Sequence, residues 1–162
     1  MPQPPHWPEE ISDPAAVIAW SALIIDSYRR LLGRDLVETG GDAQSLAWRL
    51  YCAPLAVVSH GREPDPILNY GNHAALALWE TGWSDLTRMP SRLTAEPAGL
   101  GERRAAFARV AEHGFVENYA GMRISTRGRR FRIQDTVIWT LVDAGGAVHG
   151  HAAAIARWTR VG

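Results

Sequence analysis

The last third of the chain reads as three consecutive strands joined by two tight turns, and this limits its folds more than any other feature. Phe115 to Ser125 forms the first strand pattern, and Thr126-Arg127-Gly128 turns the chain into a long strand from Arg129 to Val142. Asp143-Ala144-Gly145-Gly146 is a second turn signal, after which Ala147 to Trp158 completes an antiparallel meander. In the middle strand Phe131, Ile133, Val137, Trp139 and Leu141 share one parity. Arg130, Arg132, Gln134, Thr136 and Thr140 share the other, so a period of two predicts one apolar and one polar face. An apolar sheet face requires a cover, and the residues upstream supply it.

Upstream, Leu55 to His60 reads as a buried strand, and Gly61 to Pro66 as a charged, proline-bearing turn. Ile67 to Tyr70 returns as a short strand that breaks at Gly71-Asn72 into a helix ending at Trp79. Ser84 can cap a further short turn, Met89 to Gly101 reads as loop with at most one helical turn, and Glu102 to His113 as a helix stopped by Gly114. Nearer the start, Ser12 or Asp13 can cap a helix opened by Pro14. Val17, Trp20, Ile24, Tyr28 and Leu31 draw an apolar stripe along it as far as Gly33. A shorter helix from Asp42 carries Leu46, Leu50 and Tyr51 and ends before Pro54. The organisation predicted is an irregular, mobile arm over 1–11, a helical flank over 12–52 and the main domain over 53–162.

A chain of 162 residues, 46% apolar and with seven tryptophans, has material for one well-filled core. Its formal net charge is zero, which recommends neither nucleic acid nor an anionic membrane as partner. All 17 basic residues are arginine, as an arginine-biased codon usage produces, although arginine forks also suit carboxylates and phosphates. The single cysteine, Cys52, rules out an intrachain disulfide and is expected to be a buried free thiol. The N-terminus lacks the basic start and apolar run of a secretory signal, and no stretch is long enough to span a membrane. The expectation is a soluble, cytoplasmic protein.

The order of two strands, several short helices, a longer helix and a three-strand meander resembles the PAS fold. At residue level the chain is similar to a narrower PAS-like group, the MEKHLA domain family. The likeness is carried by PDPILNYGNHAALALWE, MPSRLTAEP, GFVENYAGMRISTRGRRFRI and VIWTLVDAGGAVHGHAAAIARW, in that order, from about Ala53 to Trp158. The resemblance implies an α+β fold: a five-stranded antiparallel sheet with short helices on one face and an N-terminal helical extension. It also implies a sensory or interaction module, whose plant version lies at the C-terminus of homeodomain–leucine zipper transcription factors. Bacterial members, which this chain looks like, would be stand-alone copies. The resemblance brings no catalytic residues, and the chain has neither homeodomain nor zipper heptads, so no DNA-binding role transfers.

Candidate chemistry is sparse. His149 and His151, two apart on one strand, could join His60 around a metal, but no acidic cluster or Cys-x-x-Cys completes such a site and a solvated pair is the plainer reading. His113 invites comparison with a haem ligand and is equally explained by the negative end of its helix. Cys52 precedes the first strand, out of reach for covalent flavin chemistry. No metal is predicted, and no cofactor is specified. Asp135 interrupts the apolar parity of the middle strand; counting back from the turn puts Tyr119 opposite it and Arg123 opposite Phe131. This predicts a buried polar pair or a polar anchor in a pocket, unless a bulge at Gln134–Asp135 turns the carboxylate outward. Asn72 caps the helix that follows it. Gly121 signals a close backbone approach or a bulge. Trp79, Trp83, Tyr119 and Trp139 fill the core by default and line any pocket present.

The candidate pocket is therefore Asn72, Trp79, Trp83, Tyr119, Arg123, Phe131, Ile133, Asp135, Val137 and Trp139. A small, largely apolar ligand would sit between that sheet face and the helices around 72–113, or the site would serve a protein partner. The alternative is a ligand-free interaction domain, with helix 14–32 lying on its own sheet or on that of a second copy in a homodimer. An enzyme is the third choice: no nucleophile–base pair, paired carboxylates or phosphate loop is visible, and only Asp135 could serve as a base in a cone-like fold.

Overall fold

Asp13 accepts the Ala16 amide proton at 3.2 Å, Pro14 opens the helix and left-handed Gly33 closes it, so α1 spans Pro14–Leu32 in the computed structural model, which describes residues 7–162. Asp42 caps α2 (Ala43–Cys52) through the Ser45 amide. Then follow β1 (Ala56–His60), β2 (Leu68–Gly71), α3 (His73–Trp79) and a single turn, α4 (Trp83–Leu86). Gly82, not Ser84, occupies the cap position of that turn. Two 3-10 turns, Ser91–Thr94 and Pro97–Gly99, lead into α5 (Leu100–His113). The chain ends in β3 (Phe115–Ile124), β4 (Arg130–Val142) and β5 (Val148–Arg160). Of the arm expected over 1–11, residues 1–6 lie outside the described residues. Residues 7–11 are irregular but packed: Trp7 meets Trp48 and Tyr51 edge-on, and Ile11 is buried.

The five strands form one antiparallel sheet in the order β2-β1-β5-β4-β3. One face carries Val58, Leu68, Ile133, Ile138 and Ile155, which pack with Trp79 of α3 and with Ala106 and Val110 of α5. The opposite face carries Val57, Tyr70, Val137, Trp139 and Leu141 under Ile24, Ile25 and Tyr28 of α1. Both faces are therefore covered, and α1 lies on its own sheet. Ser27 pins it there, donating to the Val142 carbonyl at 2.8 Å and accepting the Val142 amide at 2.9 Å.

A double bulge decides which side chain goes to which face. β3 and β4 pair at Val116↔Ile138, then Tyr119↔Thr136, then Gly121↔Ile133, so each strand carries one extra residue. Those residues are Asn118 and Asp135, with φ of +56° and +48°, and the pairing closes in its original register at Arg123↔Phe131. Alternation along β4 restarts at Asp135. Phe131 and Ile133 face α3 and α5, whereas Val137, Trp139 and Leu141 face α1. The single apolar parity read from the sequence is thus split in two. Asp135 leaves the interior altogether and ion-pairs with Arg157, both exposed, while Tyr119 stands opposite Thr136 instead.

Asn72 is fully buried and ties three elements together. Its side-chain oxygen accepts from Val57 at 2.9 Å and from Ala75 at 3.1 Å; its nitrogen donates to the carbonyls of Leu50 at 3.0 Å and Leu55 at 2.8 Å. Capping of α3 is one of its four bonds.

Two stability measurements test this. Asp135→Val forces a β-branched residue into the left-handed region and should lower the unfolding free energy by about 1–2 kcal/mol despite being exposed, whereas Asp135→Gly should be near neutral. Asn72→Ala leaves the Val57 amide and the Leu55 carbonyl without partners, removes the cap of α3 and should cost about 3–5 kcal/mol. Urea denaturation of the three variants reads both.

Candidate ligand-binding site

A cavity lies between the sheet and α5, with Trp79 and the Ser91–Thr94 turn at its sides. The sheet contributes His60, Ile133, Thr136, Ile138 and His151; α5 contributes Arg103 and Phe107. Arg103, Ala106, Phe107 and Val110 recur at helical spacing, so the stripe that docks α5 brings a guanidinium with it. The cavity holds about 40 Å³, room for a few waters. It continues into a wider groove of about 410 Å³ that shares His60, Arg103, Phe107 and His151 and reaches solvent past Arg62 and Arg104.

The interior end is rich in donors. Arg123, 7% exposed, donates to the Tyr119 hydroxyl at 3.2 Å and to the Met122 carbonyl at 2.8 Å, and lies over the Tyr119 ring. Gly121 permits this: a Cβ there would sit 2.8 Å from the Tyr119 hydroxyl and 3.1 Å from Arg123. Arg103 donates to the Ser91 hydroxyl and stacks on Phe107, 4.8 Å from the ring centre. Burial, and then the charge of Arg123, push the Arg103 pKa down to about 10, so it stays cationic at neutral pH. Trp79 is 2% exposed and its indole N–H has no acceptor among the described residues.

Two histidines stand at the mouth. His60 and His151 are directly paired across β1 and β5, with ring centres 5.3 Å apart and Phe107 against both. His60 Nδ1 lies 2.9 Å from the Gly61 carbonyl, so in the neutral ring this nitrogen donates. Burial, and then its neighbour His60, hold the His151 pKa down to about 4. Burial lowers that of His60 as well, offset in part by the bond to Gly61 and reinforced by Arg103.

The residues singled out from the sequence divide between two sides of the sheet. Trp79, Arg123 and Ile133 line the cavity, with Tyr119 and Phe131 immediately behind: Tyr119 holds Arg123, and Phe131 meets Trp79 edge-on at 5.2 Å. Asn72 has spent its bonding capacity on backbone. Trp83 packs on Tyr70, and Val137 and Trp139 lie beneath α1. Asp135 points to solvent with Arg157. The reading from the chain passed over Arg103, Phe107, Thr136 and Ile138; an arginine on the apolar stripe of a helix was the available signal.

His149 parts from His151 because Leu141↔Gly150 is followed by Val142↔Val148, which makes His149 the bulged residue; it bonds Asp143 at 2.9 Å. Gly150 has φ +147°, and a Cβ on it would fall 1.9 Å from the His60 carbonyl oxygen, so only glycine fits there. Among the described residues no three metal-ligating side chains converge. His113 is exposed at the end of α5. Cys52, expected to be buried, is exposed: Ala47, Leu50 and Tyr51 form the inner side of α2, and the next position turns outward. No cysteine lines the cavity, so its residues do not fit covalent flavin chemistry.

A model of the MEKHLA domain matches residues 18–160. Among characterised proteins, the homeobox-leucine zipper protein ATHB-9 of Arabidopsis thaliana is 24% identical over 81% of this chain and 16% of its own length. HOX33 of Oryza sativa subsp. indica is 24% identical over 98% of this chain and 18% of its own. The chain thus spans less than a fifth of these relatives. Among solved structures, a light-oxygen-voltage domain studied with a flavin analogue superposes with a TM-score of 0.57 at 20% identity, covering 73% of this chain and 85% of that one. An RNA-binding light-oxygen-voltage receptor gives 0.61 at 18%, covering 74% and 34%. The PAS domain of a Colwellia psychrerythraea protein gives 0.54 at 12%, covering 62% and 83%. At these identities the likeness establishes the PAS-like fold.

The mouth histidines make stability depend on pH. Unfolded, each titrates near about 6.5; folded, both titrate lower, so the unfolded chain binds more protons in mild acid. Their contribution is complete above about pH 6.5 and is lost in acid, that of His151 as pH falls toward about 4. Allowing for the open side of the ring, His151→Gln should remove about 1–2 kcal/mol of the acid loss, or roughly 3–6 °C between pH 7 and 4.5. Thermal melts of both proteins across that range give the difference.

Proposed function

Because the chain belongs to the MEKHLA domain family, with its PAS-like fold, we propose that it is a sensory module in which a small molecule in the cavity alters the docking of α1. The supporting observation is the division of β4: Ile133, Thr136 and Ile138 touch the cavity, while Val137, Trp139 and Leu141, interleaved with them, touch α1. A shift of this strand on ligand binding changes both contacts at once. The output requires that the ligand bind the two packings with different affinity. The surface released or rearranged at α1 then meets a protein partner. The zero net charge supports a small molecule or a protein over nucleic acid, and no described helix is long and apolar enough to cross a membrane.

A ligand-free interaction domain is the second reading, favoured by the small volume of the interior cavity, about 40 Å³. The homodimer expected through α1 has less apolar surface to use, since Ile24, Ile25 and Tyr28 are buried on the helix's own sheet and Val17, Trp20 and Leu31 are half-buried there. The stand-alone bacterial form rests on sequence resemblance alone; the relatives named above are plant proteins. A thermal-shift screen with native mass spectrometry, followed by hydrogen exchange, separates the readings. Under the sensory reading a stabilising compound changes amide exchange in both α5 and α1. A change confined to α5 rejects the coupling, and the absence of any stabilising compound favours the interaction domain.

A further inference from the structure

Arg103 and Arg123 both line the cavity, and neither forms an ion pair with a carboxylate among the described residues. Residues 1–6 hold no acid. Buried charges are normally paired, because an unpaired one loses its hydration without replacement. Each guanidinium has five N–H groups; Arg103 uses one on Ser91 and Arg123 uses two, on Tyr119 and Met122. The acceptor-less indole of Trp79 adds a third unspent donor on the same wall. Glu102 and Arg123 both lie against Gly121, 3.2 Å and 3.1 Å from where a Cβ would stand, but they do not form an ion pair. The two histidines are bases held neutral at pH 7, so the cavity wall is cationic; the nearby carboxylates, Glu102 beside Arg123 and Glu63 in the adjoining groove, ion-pair with neither guanidinium.

We propose that the ligand is a small organic monocarboxylate, its head paired with Arg103 and Arg123 and its apolar body against Trp79, Ile133 and Ile138. This deepens the sensory reading and rests on it. A planar carboxylate matches a guanidinium fork through two parallel hydrogen bonds. Inorganic phosphate would leave the apolar wall unused, since it has no body to place there. The cavity volume selects acids of a few carbon atoms, and the adjoining groove admits a longer or aromatic tail past Phe107.

The test is titration of the full chain at pH 7, followed by NMR of the Trp79 indole and arginine side-chain N–H signals. The probes are butyrate and benzoate, their neutral amides, and inorganic phosphate. The carboxylates should move the Trp79, Arg103 and Arg123 signals and bind roughly tenfold or more tightly than the amides. Arg103→Gln should abolish that preference while leaving the amides unchanged, and Arg103→Lys should restore part of it. The comparison of acid with amide on the unaltered chain holds even where a variant fails to fold. Equal binding of acids and amides, or phosphate binding as well as butyrate, overturns the carboxylate assignment and leaves the ligand site standing. Shifts confined to exposed arginines overturn it likewise. No response from any probe at millimolar concentration overturns the assignment, and with it the cavity as a ligand site for small acids or their isosteres.

Discussion

A left-handed residue in the middle of β4 sets the arrangement of everything around it. At Asp135 the strand gains one position, and the side chains that follow exchange faces relative to strict alternation. Without that exchange Trp139 and Leu141 would meet α3 and α5, while α1 would find a polar surface. With it, Val137, Trp139 and Leu141 are buried beneath α1. Left-handed backbone at a non-glycine residue costs on the order of 1–3 kcal/mol, and burying one large apolar side chain returns about 1.5–3 kcal/mol. Three such side chains outweigh the strain comfortably. Asn118 in β3 provides the compensating position, and the register resumes at Arg123↔Phe131.

The same switch shapes the chemistry of the interior. It carries Thr136 and Ile138 to the cavity side beside Ile133 and sends the only carboxylate of β4 out to Arg157. The interior thereby loses the acid that might have neutralised Arg123. What remains is a small space bounded by two guanidinium groups, an unpartnered indole N–H and two neutral imidazoles against an apolar floor. Burial lowers the pKa of His60, His151 and Arg103 alike, but an arginine starts so far above neutrality that it keeps its charge. The positive character of the site therefore survives at neutral pH.

Much of the secondary structure was legible because its signals are local. Asp13 with Pro14, Asp42, Asn72, Gly33 and Gly114 mark helix ends through hydrogen bonds and φ values that span only a few residues. The turns at Thr126–Gly128 and Asp143–Gly146 behave alike. The face of each residue in β4 was not legible beyond Asp135, since a bulge alters parity without altering composition. The run Val137-Ile138-Trp139 did carry a trace of the answer: three consecutive buried positions require a cover on both sides of the sheet. Cys52 was misplaced for a related reason, because a cysteine's own apolarity outweighed its angular position on α2 in the reading.

Local signals along the chain specify the order of elements, the antiparallel meander, the caps and the presence of an apolar stripe on α1, all of which rest on short-range sterics and hydrogen bonding. Tertiary structure decided which apolar residues became cavity wall and which became the seat of α1. It also brought Arg103 to Arg123 and His60 to His151, pairs separated along the chain by a helix, a strand or the whole main domain. Such encounters depend on how the sheet twists, bulges and is covered. That information resides in the competition among faces for burial, and no window of neighbouring residues contains it.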